Sequence, residues 1–285
     1  MPIRRAAQSH LAACATLATL LALSGCGPAD RAGGARGADV EPTPTAARSA
    51  QPPADDRPEQ RTSTVTLGDV VLQIVTLKAA DVRADEDGPD TRTVTLTLAA
   101  GRSARLALAS PGALDVDTDG SITVLDDDGD PVAAIGPPAP PSDTEDDAPR
   151  IGVTEIDATH ALVEVGPIEP PQESESPAPT DRAELLPVTF VVGTQAIESA
   201  TWGENEGGRS LAVDPTDWAR YAGQAGLDLI RTQLVAAEPE ADTSTMGDQL
   251  VCHAVGAPDK STWNLEPWRP DVGLILTATA QCNPV

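Results

Sequence analysis

The chain has 285 residues with 19 basic and 44 acidic side chains, a formal charge of −25, and only 2% aromatic residues. So acidic a surface repels nucleic acid and anionic lipid headgroups, which excludes both as expected partners. Arginine supplies nearly all the positive charge, because Lys78 and Lys260 are the only lysines.

The first element is a leader. Arg4 and Arg5 precede the apolar run 11–23, and small residues follow, the layout of a secretory signal over residues 1–25. The run is too short for a comfortable membrane span. Leu23-Ser24-Gly25-Cys26 resembles the lipobox of bacterial lipoproteins, in which the cysteine is acylated and the chain is cut just before it. The resemblance implies an extracytoplasmic protein, lipid-anchored to the cell membrane through Cys26. The membrane is then one partner, and a component of the envelope or wall, or another protein, is the other kind expected. Residues 26–61 are Ala, Gly, Pro, Thr, Arg and Asp with almost no large apolar side chain. They read as a disordered tether with a reach on the order of 30 Å.

Residues 62–195 alternate at period two, at 62–67, 69–77, 91–99, 103–109, 151–156, 161–165 and 187–192. Breaks at Gly, Pro and Asp give an aliphatic antiparallel β domain, a sandwich or meander. Proline-rich acidic stretches at 136–150 and 166–182 interrupt it as long loops. The fold class expected overall is β-rich plus α+β, with a small disulfide-closed α+β domain at residues 196–285. All six aromatic residues lie at or after Phe190, which marks the boundary.

Within the β domain, residues 115–126 place Asp115, Asp117, Asp119, Ser121, Thr123 and Asp126 at positions 1, 3, 5, 7, 9 and 12 of an EF-hand calcium loop, with Gly120 at position 6. The flanks argue otherwise. Pro111 and Gly112 occupy the last turn of the required incoming helix, and Asp126 is a methylene short of the usual bidentate Glu. As strands, the segment pairs Val116 with Ile122 and Leu114 with Val124, then Val124 with Val132 and Ile122 with Ala134. Both turns end in glycine, as a type I turn with a G1 bulge requires. Hairpins are the expectation, with weak calcium binding by Asp115, Asp117, Asp119 and Asp126 as an alternative.

In the C-terminal region, strands are expected near 197–202 and 210–213. A helix is expected from Asp214 as N-cap to Pro239, and a second from Thr245 to Gly256. Residues 273–281 read as a strand. Cys14 leaves with the leader and Cys26 with the lipid, so Cys252 and Cys282 are left to pair in an oxidising compartment or to remain as two free or metal-bound thiols.

The segment 248–253 (DQLVCH), the lysine before TWNLEPWRPDVG and the closing CNP resemble the signature of a domain of unknown function found at the C-terminus of secreted and lipid-anchored actinobacterial proteins. The resemblance covers about residues 197–285 and implies placement, fold and the disulfide, but supplies no catalytic residues.

The chemistry-bearing side chains concentrate between Gln249 and Arg269. Gln249 and His253 share a helix face, and Lys260, Trp263, Glu266, Trp268 and Arg269 follow in a loop. A ligand- or partner-binding or structural module would use them for recognition, since Trp and Arg dominate binding hot spots. The alternative is an extracytoplasmic hydrolase with His253 as general base, oriented by Glu266, and Lys260 or Arg269 steadying an anion. No serine elbow, HExxH, paired catalytic carboxylates or CxxC is present, so a non-enzymatic module without cofactor is the expectation.

Overall fold

The computed structural model describes residues 59–77, 80–140, 150–166 and 185–285. The expected leader, Cys26, nearly all of the tether and most of the two acidic stretches lie outside the described residues.

Eleven strands come first: β1 (Gln60–Leu67), β2 (Val70–Leu77), β3 (Asp81–Glu86), β4 (Thr91–Ala99), β5 (Ser103–Leu108), β6 (Ala113–Val116), β7 (Ile122–Leu125), β8 (Pro131–Ile135), β9 (Ile151–Asp157), β10 (His160–Val165) and β11 (Leu185–Gly193). They form a five-stranded sheet in the order β1-β2-β5-β10-β9 and a six-stranded sheet in the order β3-β4-β11-β8-β7-β6. Every pairing within them is antiparallel. Alternate residues of both sheets, among them Leu72, Ile74, Val94, Leu96, Leu106, Ile122, Val163, Val188 and Phe190, merge into one buried cluster. This is the sandwich that period-two alternation implies: one face of each strand packs inward and the other meets water. β3 is the strand the alternation does not reveal. It is charged and largely exposed, pairs with β4 and ends its sheet.

The acidic repeat at 115–126 is a hairpin. β6 pairs with β7 in the expected register, Val116 with Ile122 and Leu114 with Val124, and Gly120 and Gly129 both take the left-handed conformation. The second hairpin differs by one residue. Val124 faces Ala133, and Ile122 faces Ile135. A bulge between Val124 and Leu125 absorbs the extra residue. The Asp126 carboxylate causes it by accepting the Asp128 and Asp130 amides, both at 2.9 Å, which widens the turn.

The rest of the chain adds β12 (Ile197–Asn205), β13 (Gly208–Pro215), α1 (Gly223–Ala237), α2 (Ser244–Gly256), β14 (Trp263–Leu265) and α3 (Leu274–Thr279). The three strands make a small antiparallel sheet, β12-β13-β14, and α1 and α2 bury Leu229, Ile230, Leu234, Met246 and Leu250 with Leu211, Val213, Trp263 and Leu265 of that sheet. Three expectations need correction. Asp214 and Pro215 end β13 instead of opening a helix, because Asp214 is engaged by Arg220 at 2.8 Å and the chain first makes a 3₁₀ turn at Ala219–Tyr221. The second helix is capped by Thr243, whose hydroxyl accepts the Met246 amide at 3.2 Å, two residues before the expected cap. Residues 274–279 form the helix α3 and not a strand, since they find no sheet edge and pack against α2.

Cys252 and Cys282 are joined by a disulfide, 30 residues apart in sequence. It ties α2 to the segment after α3, and Cys282 reaches this position with a left-handed backbone (φ 67°). Serine at both positions should lower unfolding stability by roughly 3.7 kcal/mol through the freed loop entropy of a 30-residue loop; urea denaturation of the variant against the oxidised parent measures it.

Candidate functional site

Two places gather the sequence-nominated residues: the hairpin around Asp119, and the frame that Gln249, Glu266 and Arg269 build between α2, β14 and the β12–β13 turn.

The first is a junction. Helix α1 begins at Gly223 without a cap from its own neighbours. Two of its first-turn amides are instead taken by the hairpin: Gln224 N–H donates to the Asp119 carboxylate at 2.8 Å and Ala225 N–H to the Ser121 hydroxyl at 3.1 Å. Ser121 in turn donates its hydroxyl to Asp119 at 2.6 Å. Orphan donors and the positive end of a helix dipole are satisfied by a carboxylate that lies over a hundred residues earlier. Gly223 fits because its φ is +70° and a Cβ would strike the Asp119 carboxylate and approach the Ser121 hydroxyl. Partial burial works against the Asp119 charge, yet these donors outweigh it and hold the carboxyl below its ordinary range.

Next to it the sign reverses. Burial, with the charges of Asp228, Asp115 and Asp119 added, pushes Asp117 up to about 6 against the pull of the Thr123 hydroxyl. Asp228 on α1 is also raised, chiefly by burial. The calcium-loop residues therefore diverge: Asp119 caps α1, and Asp126 closes its own turn. Among the described residues, no three His, Cys, Asp or Glu side chains are gathered to hold a metal ion.

The second place is a frame of buried polar bonds. Gln249 is fully buried and pairs with the backbone of Glu266 in both directions, at 3.0 and 2.9 Å. Glu266 and Arg269 are 1% and 3% exposed. The Arg269 Nε donates to Glu266, its Nη2 to Glu206 at 2.6 Å, and its Nη1 to the Pro284 carbonyl at 3.1 Å. Asn205 donates to the other Glu266 oxygen at 3.2 Å. Glu206 reaches Arg269 from the two-residue turn between β12 and β13, where it and Gly207 both hold positive φ, 48° and 85°. Arg269 also lies beneath the Trp268 ring, 4.6 Å from its centroid. That indole rests against Gly208, where a Cβ would collide with it, and stays 46% exposed.

His253 is near this frame but not bonded to Glu266. Its Nε2 meets the Asn264 carbonyl at 3.2 Å, and Nδ1 is buried with no hydrogen-bond partner among the described residues. Burial, reinforced by the Lys260 charge, holds the imidazole below its ordinary pKa, so it is neutral. Trp263 is fully buried in the core. Lys260 is exposed, and its carbonyl serves a residue that sequence inspection passed over, Arg220. That guanidinium donates to the carbonyls of Pro215, Pro258, Lys260 and Ser261 and to Asp214 while lying over the Trp263 ring. Arg209 repeats the device, stacked on Trp202 at 3.7 Å and paired with Glu240. A Trp and an Arg at no fixed spacing give no signal until the fold brings them together.

Residues 197–285 match the family described as Protein of unknown function (DUF2599). The C-terminal third of the chain is thus a domain of unknown function. Uncharacterized proteins of Mycobacterium tuberculosis (Rv0477, strain ATCC 25618 / H37Rv) and Mycobacterium bovis (Mb0487) are 39% identical to it over 95 residues, which is 30% of this chain and 62% of theirs. The chain therefore spans about three fifths of the length of the relatives it matches. No solved structure matches.

Two predictions concern the junction. Asp119→Ala should remove the cap of α1 and cost about 1 kcal/mol in denaturant unfolding. Asp117 has a folded pKa above its unfolded value of 3.8, so its contribution to stability is fully present below about 3.8 and is lost as pH rises through about 6. Asp117→Asn should therefore melt above the parent at pH 7.5, with the difference closing by pH 4; thermal unfolding across that range reads it.

Proposed function

We propose that the protein is a cell-envelope lipoprotein, held extracytoplasmically by acylated Cys26, whose C-terminal domain is a ligand- or partner-binding module. One observation carries the second half. The side chains an enzyme would need in reach of substrate, His253, Glu266 and Arg269, are buried and engaged by the fold, whereas Trp268 and Lys260 face solvent. In this reading Gln249, His253, Trp263, Glu266 and Arg269 are the frame, and Trp268 and Lys260 are the contact residues. A large indole held over an arginine on a disulfide-closed scaffold loses little freedom on binding, which favours recognition. A hydrolase reading would need an imidazole nitrogen turned to solvent; one faces Asn264 and the other is enclosed.

The anchoring half is supported by the leader, the Leu-Ser-Gly-Cys sequence and the polar tether behind it. Replacing Cys26 by Ser should move the protein from the membrane fraction to the medium, and intact mass should show acyl chains on the parent alone. Turnover of ester, amide, glycoside or phospholipid substrates that disappears in a folded His253→Ala variant would overturn the binding-module reading.

A further inference from the structure

Helix α3 opens with three consecutive aliphatic side chains turned to solvent: Leu274, Ile275 and Leu276 are 42%, 80% and 57% exposed. Only Thr277 of this helix is buried. The backbone behind them is fixed, since Cys282 is bonded to Cys252 on α2 and its amide donates to the Thr277 carbonyl at 2.9 Å. From Val272 to Val285 there is no Asp, Glu, Lys or Arg, in a chain that is 22% charged. Val255, on the helix against which α3 packs, is also 80% exposed.

We propose that the Leu274–Ile275–Leu276 turn of α3 is a lipid-contact site that inserts shallowly into an uncharged bilayer surface. For its nearness to the membrane the proposal rests on the anchoring of Cys26. If residues 26–61 form the polar tether that their composition predicts, its reach on the order of 30 Å lets an anchored domain meet the bilayer. A second copy is the poorer occupant. Three aliphatic side chains fall well short of the about 800 Å² per partner that a stable pair buries, and two leader-free chains, each with 17 basic (19 less Arg4 and Arg5) and 44 acidic residues, carry −27 and repel each other. A protein partner would be recognised through polar groups around the apolar centre. Within α3 itself, Thr277 is buried and the Thr279 hydroxyl is spent on the Leu276 carbonyl at 2.9 Å. Lipid tails ask for no such groups. Six helical residues rise only about 9 Å, and among the described residues no helix is long and apolar enough to cross a membrane, so the contact lies at the interface.

The test uses the chain from Gly27 onward, free of leader and acyl group, floated with phosphatidylcholine vesicles. The parent chain should co-float, and adding phosphatidylglycerol should weaken binding because of the protein's own charge. Ile275→Asp and Leu276→Asp should each lower the bound fraction about tenfold or more, while Ile275→Leu should not. An unchanged unfolding midpoint and an intact disulfide confirm the fold, and Ile275→Ser replaces any variant that fails to fold. Absence of the parent chain from the floated fraction, or equal flotation of the Asp variants, overturns the proposal. So does a dimer in sedimentation that Ile275→Asp dissolves, which would assign the turn to a second copy. Because this chain lacks Cys26, flotation succeeds or fails independently of acylation, which is read from the mass of the native protein.

Discussion

The bond between the Asp119 carboxylate and the first turn of α1 is the constraint on which the arrangement depends. A helix without a local cap leaves its opening amides unsatisfied, and Gly223 at the start of α1 offers no side chain to meet them. The sandwich provides the acceptors from its hairpin tip. Around that bond, α1 packs on β7 and β8, and Ala134 of β8 belongs to the apolar cluster of the C-terminal domain instead of the sandwich core. The helix that organises the second core is thus seated by the first.

The same cluster shows how one motif can serve two kinds of physics. Acids and hydroxyls at alternate positions satisfy a calcium loop when they converge on a point and satisfy a hairpin when they diverge. Here Asp119 turns toward a helix and Asp126 toward its own turn amides. Burial, with the like charges of Asp228, Asp115 and Asp119 added, pushes Asp117 up to about 6.

The sandwich was legible because period-two alternation is a local signal, as were the strands near 197–202 and 210–213 and the β6–β7 register. The misses share a cause. β3 places only Val82 and Ala84 on its inner face, between Asp81, Arg83, Asp85 and Glu86, so its short alternation is outweighed by charge and reads like a loop. Residues 274–279 are apolar and β-branched in part, yet they pack as a helix on α2 instead of joining a sheet edge, a fact of topology and not of propensity. For the candidate site, Glu266 and Arg269 could be singled out, three apart and next to a tryptophan. Glu206, Asn205 and Pro284 could not, because what joins them to that pair is distance in space across 15 to 63 residues of chain. The same holds for Arg220, whose carbonyl partners reach 41 residues downstream.

Arg269 has one further consequence, for which segments the C-terminal domain needs before it can close. Its third ligand is the Pro284 carbonyl, and the disulfide that closes the domain needs Cys282. A buried guanidinium short of a partner is strongly unfavourable, so the C-terminal domain cannot close around Arg269 until the segment carrying Cys282 and Pro284 is in place. The buried cluster of the sandwich is closed within residues 65–192 and takes nothing from that segment. The two halves of the molecule therefore differ in what they require: the sandwich core, with the hairpin that seats α1, draws its cluster from residues 65–192, whereas the Arg269 frame is complete only with Pro284.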